Sequence, residues 1–289
     1  MPSINKTVLM SGAEYFSDQY AINAYMDAEV PVDIHKAIAE HKAIQEALES
    51  AGVKVIKVPP PKGCQDGVYT ANWALCRGNK ALLSVLPNKR QAETPYARKI
   101  LQNLGKEINE MPHGTRFSGQ GDALPCGNRL FVGSNYRTSI DAWPQLNKLL
   151  GYDVIGLQTI PKRSLFGFGK RIINAETGWP DSYYYDIDLA LAVLREDLIA
   201  YCPEVFVPTS RKLLANLPIQ KIIVDRKEAT KGFACNLVST GETVIMSAWA
   251  PRLKAAIEAV GLKTITPEVT ELGKGGGYIR CTTLTLDNV

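Results

Sequence analysis

The sequence is poor in histidine and has no block of like charge, and both shortages narrow what it can do. Its 289 residues include three histidines, His35, His41 and His113. The six cysteines, at positions 64, 76, 126, 202, 235 and 281, form no CxxC pair and have no histidine partner at ligand spacing. That argues against structural zinc and for reduced thiols in a cytoplasm. Lys and Arg are scattered and the formal net charge is only +4, so neither nucleic acid nor a membrane surface is an expected partner. No apolar run approaches the ~20 residues of a bilayer span, and the first six residues lack the apolar core of a signal peptide. What is present, 45% hydrophobic and 21% charged residues, is a globular composition with a real core, long enough for one large domain or two ordinary ones.

The most informative stretch runs from Glu271 to Leu286. Gly275, Gly276 and Gly277 give a backbone that can take positive φ and can be approached closely. A β-branched, alternating strand is expected to start at Cys281. A thiol held between a glycine loop and a strand is mounted as a nucleophile is mounted. A small buried core cysteine is the competing reading.

The rest of the chain falls into a recurring unit of strand, turn, strand, helix and strand. Residues 72–77 and 80–84 flank Gly78-Asn79, a two-residue hairpin turn. A helix near 91–104 and a strand near 106–110 follow. The pattern recurs at Asp122–Tyr152 onward, at Ile187–Val224 and at Cys235–Ile265, with a spacing of roughly 45 to 65 residues. A fifth unit begins at Cys281 and has no room to finish. The N-terminal strand Thr7–Met10, the helix from Val32 to Ala51 (Asp33 as N-cap) and the strand at 53–58 would complete it if the chain closed into a ring. In a ring, equivalent positions lie at one end of the axis. Asn72, Asp122, Asp186 with Asp188, Asn236 and Cys281 stand at the unit starts, so they are expected to converge on one pocket. The competing reading makes them turn formers. The segment 161–184, with Phe166, Gly167, Phe168 and the tyrosine run that begins at Tyr183, breaks the rhythm and is read as a lid over that pocket or as a surface excursion packed on its own aromatics. His35 and His41 are placed on the solvent face of their helix, and His113 away from the pocket.

Several motifs resemble those of the guanidino-group-modifying enzyme superfamily, which comprises arginine deiminases, dimethylarginine dimethylaminohydrolases, arginine dihydrolases and amidinotransferases. They are Tyr15-Phe16 through Asn23-Ala24-Tyr25-Met26; Asp66-Gly67-Val68-Tyr69-Thr70-Ala71-Asn72 followed by Arg90 and Glu93; Arg116–Leu124 with Gly133 and Arg137-Thr138; Ala234-Cys235-Asn236; and Gly275–Leu286. The resemblance implies an α/β fold, a five-bladed pseudo-symmetric propeller (pentein) of ββαβ units, formed by residues 1–289 as a single domain. It implies that Cys281 attacks a guanidinium carbon, forming a covalent amidino-thioether that water then releases, with no metal and no cofactor. Asp122 and Asp188 would flank the guanidinium, Arg137 would hold a substrate carboxylate, and Asn72, Asn23 and Asn236 would supply neutral polar contacts. The partner expected is a small guanidino compound, with self-association into a homo-oligomer left open.

At one position the pattern is broken. The family's His-hydrophobic-Asp motif aligns with Asp186-Ile187-Asp188, so a carboxyl stands where the family places its general acid/base imidazole. A carboxylate beside Cys281 disfavours the thiolate, whereas an imidazolium would favour it. Asp186 can serve as acid or base only if burial or Asp188 raises its pKa. Three functions therefore stand: a hydrolase of arginine-like guanidino compounds, an amidinotransferase that passes the amidino group to an amine, and a binder of such cations without turnover.

Overall fold

The structure is a computed structural model that describes residues 4–27, 29–164 and 169–289. Five three-stranded sheets carry the fold. In four of them a hairpin supplies the first two strands and a helix crosses over to the third. These sheets are Ala74–Arg77, Lys80–Leu83 and Glu107–Asn109; Ala123–Cys126, Arg129–Val132 and Asp153–Gly156; Leu191–Arg195, Leu198–Tyr201 and Gln220–Ile223; and Val238–Ser239, Thr243–Ile245 and Lys263–Ile265. The hairpin pairs are antiparallel and the crossover pairs parallel, as Cys76 opposite Ala81 and Ala81 opposite Ile108 illustrate. Gly78 (φ 55°) and Gly127 (φ 59°) open two of the hairpin turns with the positive φ that such turns need. The crossover helices Glu93–Asn103, Ala142–Leu150, Pro208–Asn216 and Pro251–Ala259 bury stripes such as Ala142, Leu146 and Leu150 against their sheets.

The fifth sheet joins the two ends of the chain. Leu284–Thr285 runs antiparallel to Thr7–Met10, with Val8 opposite Thr285 and Leu9 opposite Leu284. Thr7–Met10 then pairs in parallel with Lys54–Lys57 across the helix Ile34–Ser50. Leu284–Thr285 lies against Ala74–Arg77, Ala123–Cys126 against Leu191–Arg195, and Leu191–Arg195 against Val238–Ser239. The N–H of Ile4 bonds the carbonyl of Thr240 at 3.2 Å and closes the circuit. The fold is thus a five-bladed α/β propeller, as the repeat implied.

Two sequence-based expectations are corrected, at Cys281 and at His41. Cys281 does not begin a strand: Ile279–Thr282 is a turn, in which Thr282 and Thr283 bond back to the carbonyls of Ile279 and Arg280, and the strand starts at Leu284. Hydroxyls that satisfy the backbone locally compete with the ladder, which is why the β-branched run does not extend further. Within the segment 161–184, Arg163 bridges Arg171 and Ile173 bridges Pro180; Phe166, Gly167 and Phe168 lie outside the described residues. His41 faces the core, because positions 37, 41, 44 and 48 share one face of the helix and Ala37, Ile44 and Leu48 are fully buried. His35 and His113 are exposed.

Burial, with a smaller contribution from Lys57, lowers the His41 pKa to about 3, and its Nε2 has no protein partner. An imidazole neutral in the folded state and near 6.5 when unfolded favours folding above pH 6.5, and that contribution is lost as pH falls toward 3. Native protein is therefore expected to lose roughly 4 kcal/mol more stability than His41→Leu between pH 6.5 and pH 3. Urea unfolding of both proteins across that range measures the difference, and parallel curves would refute it. The comparison with the variant is needed because buried carboxyls with raised pKa values act in the opposite sense.

Candidate active site

Each blade delivers its polar residue from a short turn just ahead of its first strand. Thr70–Asn72, Gly119–Asp122 and Ile187–Leu189 are single 3-10 turns; Asn236 and Cys281 end looser ones. The turns place Asn72, Asp122, Asp188, Asn236 and Cys281 at equivalent points around the axis, and all five are at most 2% exposed.

Cys281 is gripped by Asn236. The Asn236 Oδ1 accepts the backbone N–H groups of Tyr278 and Cys281, both at 3.1 Å, while its Nδ2 donates to the Cys281 Sγ at 3.1 Å. The thiol donates to the Asp188 Oδ2 at 3.4 Å. Burial, then the charges of Asp188 and Asp186, holds the Cys281 thiol well above its ordinary pKa. Asp188 and Asp122 are also held well above the ordinary carboxyl range, first by burial and next by Asp186. Ile187 N–H donates to the Asp122 Oδ1 at 2.8 Å.

Asp186 is fully buried among them. Its Oδ2 accepts from Asn72 Nδ2 at 2.8 Å and lies 3.6 Å from Arg137 Nη1. The Arg137 guanidinium also sits 3.9 Å over the ring of Tyr185. Asn72 is fixed from its other side by Arg90 Nη1 at 2.9 Å, and Arg90 makes a two-pronged pair with Glu93 at 2.8 and 2.7 Å. The Arg90-Glu93 motif thus positions Asn72, and through it Asp186. Asp122 Oδ2, Asp186 Oδ1 and Asp188 Oδ1 have no protein partner. Three buried carboxyls, each with an unpartnered oxygen, surround the thiol's neighbourhood. Buried oxygens of this kind are costly unless a donor reaches them. Asp188 also lines a cavity of about 90 Å³, together with Arg280 and with Gln120, whose Nε2 is likewise unpartnered. Among the described residues no three His, Cys, Asp or Glu side chains are grouped as a metal centre would need.

The glycine loop is tightly packed. A Cβ on Gly276 (φ 83°) would stand 2.4 Å from Asn23 Oδ1, and one on Gly277 would stand 2.4 Å from the Tyr69 ring and 2.9 Å from the Cys281 Cβ. Asn23 Nδ2 donates to the carbonyl of Gly275 at 2.9 Å, and Tyr185 donates to that of Gly276 at 2.6 Å. Ahead of the loop, Glu271–Lys274 forms one helical turn. Its start is held by Glu40, whose carboxylate accepts the N–H groups of Thr270, Glu271 and Leu272 at 2.8 to 3.1 Å. Sequence reasoning missed Glu40. Its signal was available: it stands beside His41 on the buried face of the helix, and a buried carboxylate needs donors.

The model of the N,N dimethylarginine dimethylhydrolase family (eukaryotic) matches residues 15–287. The chain belongs to this family. Its relatives include the N(G),N(G)-dimethylarginine dimethylaminohydrolase of Mycobacterium tuberculosis, 29% identical over 96% of this chain and 84% of that protein. The bifunctional arginine dihydrolase/ornithine cyclodeaminase AgrE of a Nostoc species is also 29% identical over 96% of this chain, but the match spans only 37% of its length. Among solved structures, the N-terminal domain of ArgZ, a cyanobacterial arginine dihydrolase bound to its product, superposes with a TM-score of 0.86 at 27% identity, covering 98% of this chain and 97% of that one. The Pseudomonas aeruginosa dimethylarginine dimethylaminohydrolase complexed with citrulline shares the fold at a TM-score of 0.75 and 18% identity, over 98% and 99% of the two chains. The dimethylarginine dimethylhydrolase family thus accounts for the propeller and for the guanidino-modifying resemblance of the motifs. In this member the first position of the acidic pair is Asp186.

Proposed function

We propose that the protein hydrolyses the guanidino group of arginine or a methylated or otherwise related derivative, with Cys281 as nucleophile. The observation that carries this reading is the set of three buried carboxyls, each with one unpartnered oxygen, beside a thiol that already bonds one of them. A guanidinium is planar, cationic and rich in N–H donors, so it supplies both the charge and the hydrogen bonds that such oxygens lack. The relatives' dimethylarginine and arginine substrates carry this group.

In this mechanism the cation first lowers the pKa values of Asp122 and Asp188, which become acceptors on the guanidinium edges. The same positive charge favours the thiolate, and Asp188 Oδ2 receives the Cys281 proton. Sγ then forms a bond to the guanidinium carbon, and the C–N bond to the leaving nitrogen breaks as that nitrogen takes up the proton. Water adds to the amidino-thioether carbon and the C–S bond breaks; of the water's two protons one returns to the thiolate and the other leaves on the released amine, which departs as its ammonium ion. Asn236 holds the sulfur throughout, while Asn23 and Glu40 act at a distance by holding the loop. Asp186 orients Asn72 and Arg137, leaving the remaining N–H groups of Arg137 for a substrate carboxylate. We assign the segment 161–184 a lid role, residues 1–289 a single functional unit, and the molecule a cytoplasmic setting supported by six unpaired cysteines. Incubation with arginine, methylated arginines and agmatine, followed by analysis for ureido product and released amine, tests the reading. Transfer to an added amine would instead favour the amidinotransferase.

Binding itself is expected to be proton-linked. Asp122 and Asp188 are raised in the free protein, so an incoming cation releases protons, and affinity rises as pH climbs through their raised pKa values. Calorimetric titration in two buffers of different ionisation enthalpy should show net proton release on binding. Buffer-independent heats would rule out this charge arrangement.

A further inference from the structure

Outside the catalytic centre, one groove concentrates positive charge of which only Lys162 is paired with a carboxylate. It encloses about 640 Å³ between the start of the 161–184 segment and the helix Arg226–Lys231, and its walls carry Lys162, Arg163, Arg226, Lys227 and Lys231, with Tyr183 at one side. The whole chain has 33 basic and 29 acidic residues, so these five cations by themselves exceed its net excess. Lys162 lies 3.8 Å from Asp181. Among the described residues Arg163, Arg226, Lys227 and Lys231 make no ion pair. The nearby acids are engaged elsewhere: Glu228 accepts the N–H groups of Arg252 and Leu253 at 2.8 and 3.0 Å, and Asp225 pairs with Arg252 at 3.0 Å. Lys227 and Lys231 also line a second, adjoining cavity of about 400 Å³ beside Trp249, which is 61% exposed.

We propose that this groove binds a polyphosphate, either inorganic or as the phosphate tail of a nucleotide. Five like charges around one concavity repel each other and are only partly relieved by salt, so a compact multivalent anion is the ligand that offsets most of them at once. A single carboxylate would neutralise one. The volume lies within the range of small-molecule sites, and Tyr183 and Trp249 offer exposed ring surface to a base on either side of the lysines.

The groove is connected to the nucleophile's loop. Tyr183 meets Tyr25 edge-on at 5.3 Å, and Tyr25 packs on Phe233 at 4.8 Å. The Tyr25 N–H donates to Asn23 Oδ1 at 2.9 Å, and Asn23 holds the Gly275 carbonyl. A ligand that draws Lys162 and Tyr183 toward it is therefore expected to change turnover as well. That effect rests on the proposed hydrolase activity; the binding does not.

The test is calorimetric titration of the substrate-free protein with pyrophosphate, ATP and adenosine at fixed ionic strength. Native protein should bind pyrophosphate and ATP, with affinity falling as salt rises. Lys227→Glu/Lys231→Glu should weaken both by about tenfold or more. Both positions are on the surface, outside the catalytic machinery, and unchanged melting and unchanged turnover without added phosphate would show the variant intact. ATP binding more tightly than pyrophosphate would identify a nucleotide site, and equal affinities an inorganic one. Absence of binding at millimolar concentration, equal affinity in the double variant, or binding of adenosine as strong as that of ATP would overturn the proposal.

Discussion

Replacing Cys281 by alanine is expected to reduce guanidino turnover by about 10⁴-fold or more, since no second group can take over the covalent step. Ligand binding should survive, because the carboxyls that meet the cation are untouched. Acid-quenched native protein should show the mass of the amidino adduct on Cys281, and the variant none. The variant should also escape the thiol's titration: burial and two neighbouring carboxyls raise the pKa of the native sulfur, so its activation depends on the bound cation. Turnover that persists in Cys281→Ala would defeat the covalent mechanism outright.

The second large effect concerns Asp186. If this residue merely occupied a vacated histidine position, Asp186→His would raise activity. The structure argues for the opposite. Asp186 is fully buried, its Oδ2 takes the Asn72 amide at 2.8 Å and faces Arg137 at 3.6 Å, and a Cβ on Gly121 would already stand 3.0 Å from that oxygen. An imidazole is larger, cannot accept from Asn72 and hold a second proton at once, and brings a potential cation to Arg137. Asp186→His is therefore expected to lower kcat by about 10²–10⁴-fold, the size of a lost acid/base or positioning group. Asp186→Asn keeps the shape and the Asn72 bond but leaves Arg137 unmatched, so its loss should fall mainly on KM for substrates bearing a carboxylate. A gain of activity in the histidine variant would refute this structural role for Asp186. Inactivity of native and variant alike, with equal ligand affinity, would instead leave a binding protein.

Much of the site was legible because its chemistry is attached to local signals. The glycine triplet marked the loop, and the steric reason is concrete: Asn23, Tyr69 and the Cys281 Cβ leave no room for side chains there. Polar residues at the unit starts do meet, Asn72 on Asp186 and Asn236 and Asp188 on Cys281. Less legible was what holds them. Glu40 is separated from Glu271 by 231 residues, and nothing in the chain links a helix near its beginning to the loop that leads into Cys281. His41 was misplaced for a related reason, since a polar side chain on the apolar stripe of an amphipathic helix looks exposed until the stripe is counted.

By itself the sequence determined the repeat, the places where hairpins turn and helices begin, and the residue types available for guanidinium chemistry. These follow from local rules: positive φ at Gly78 and Gly127, caps such as Asp33, and period-2 and period-3.6 patterning. The tertiary structure decided which oxygens are left without a partner, that Arg137 faces Asp186, and that burial raises the pKa values of Cys281, Asp122 and Asp188. Those properties arise from burial and from charges brought together across the ring. Desolvation and Coulomb energy depend on three-dimensional distance, which the order of residues along the chain does not contain.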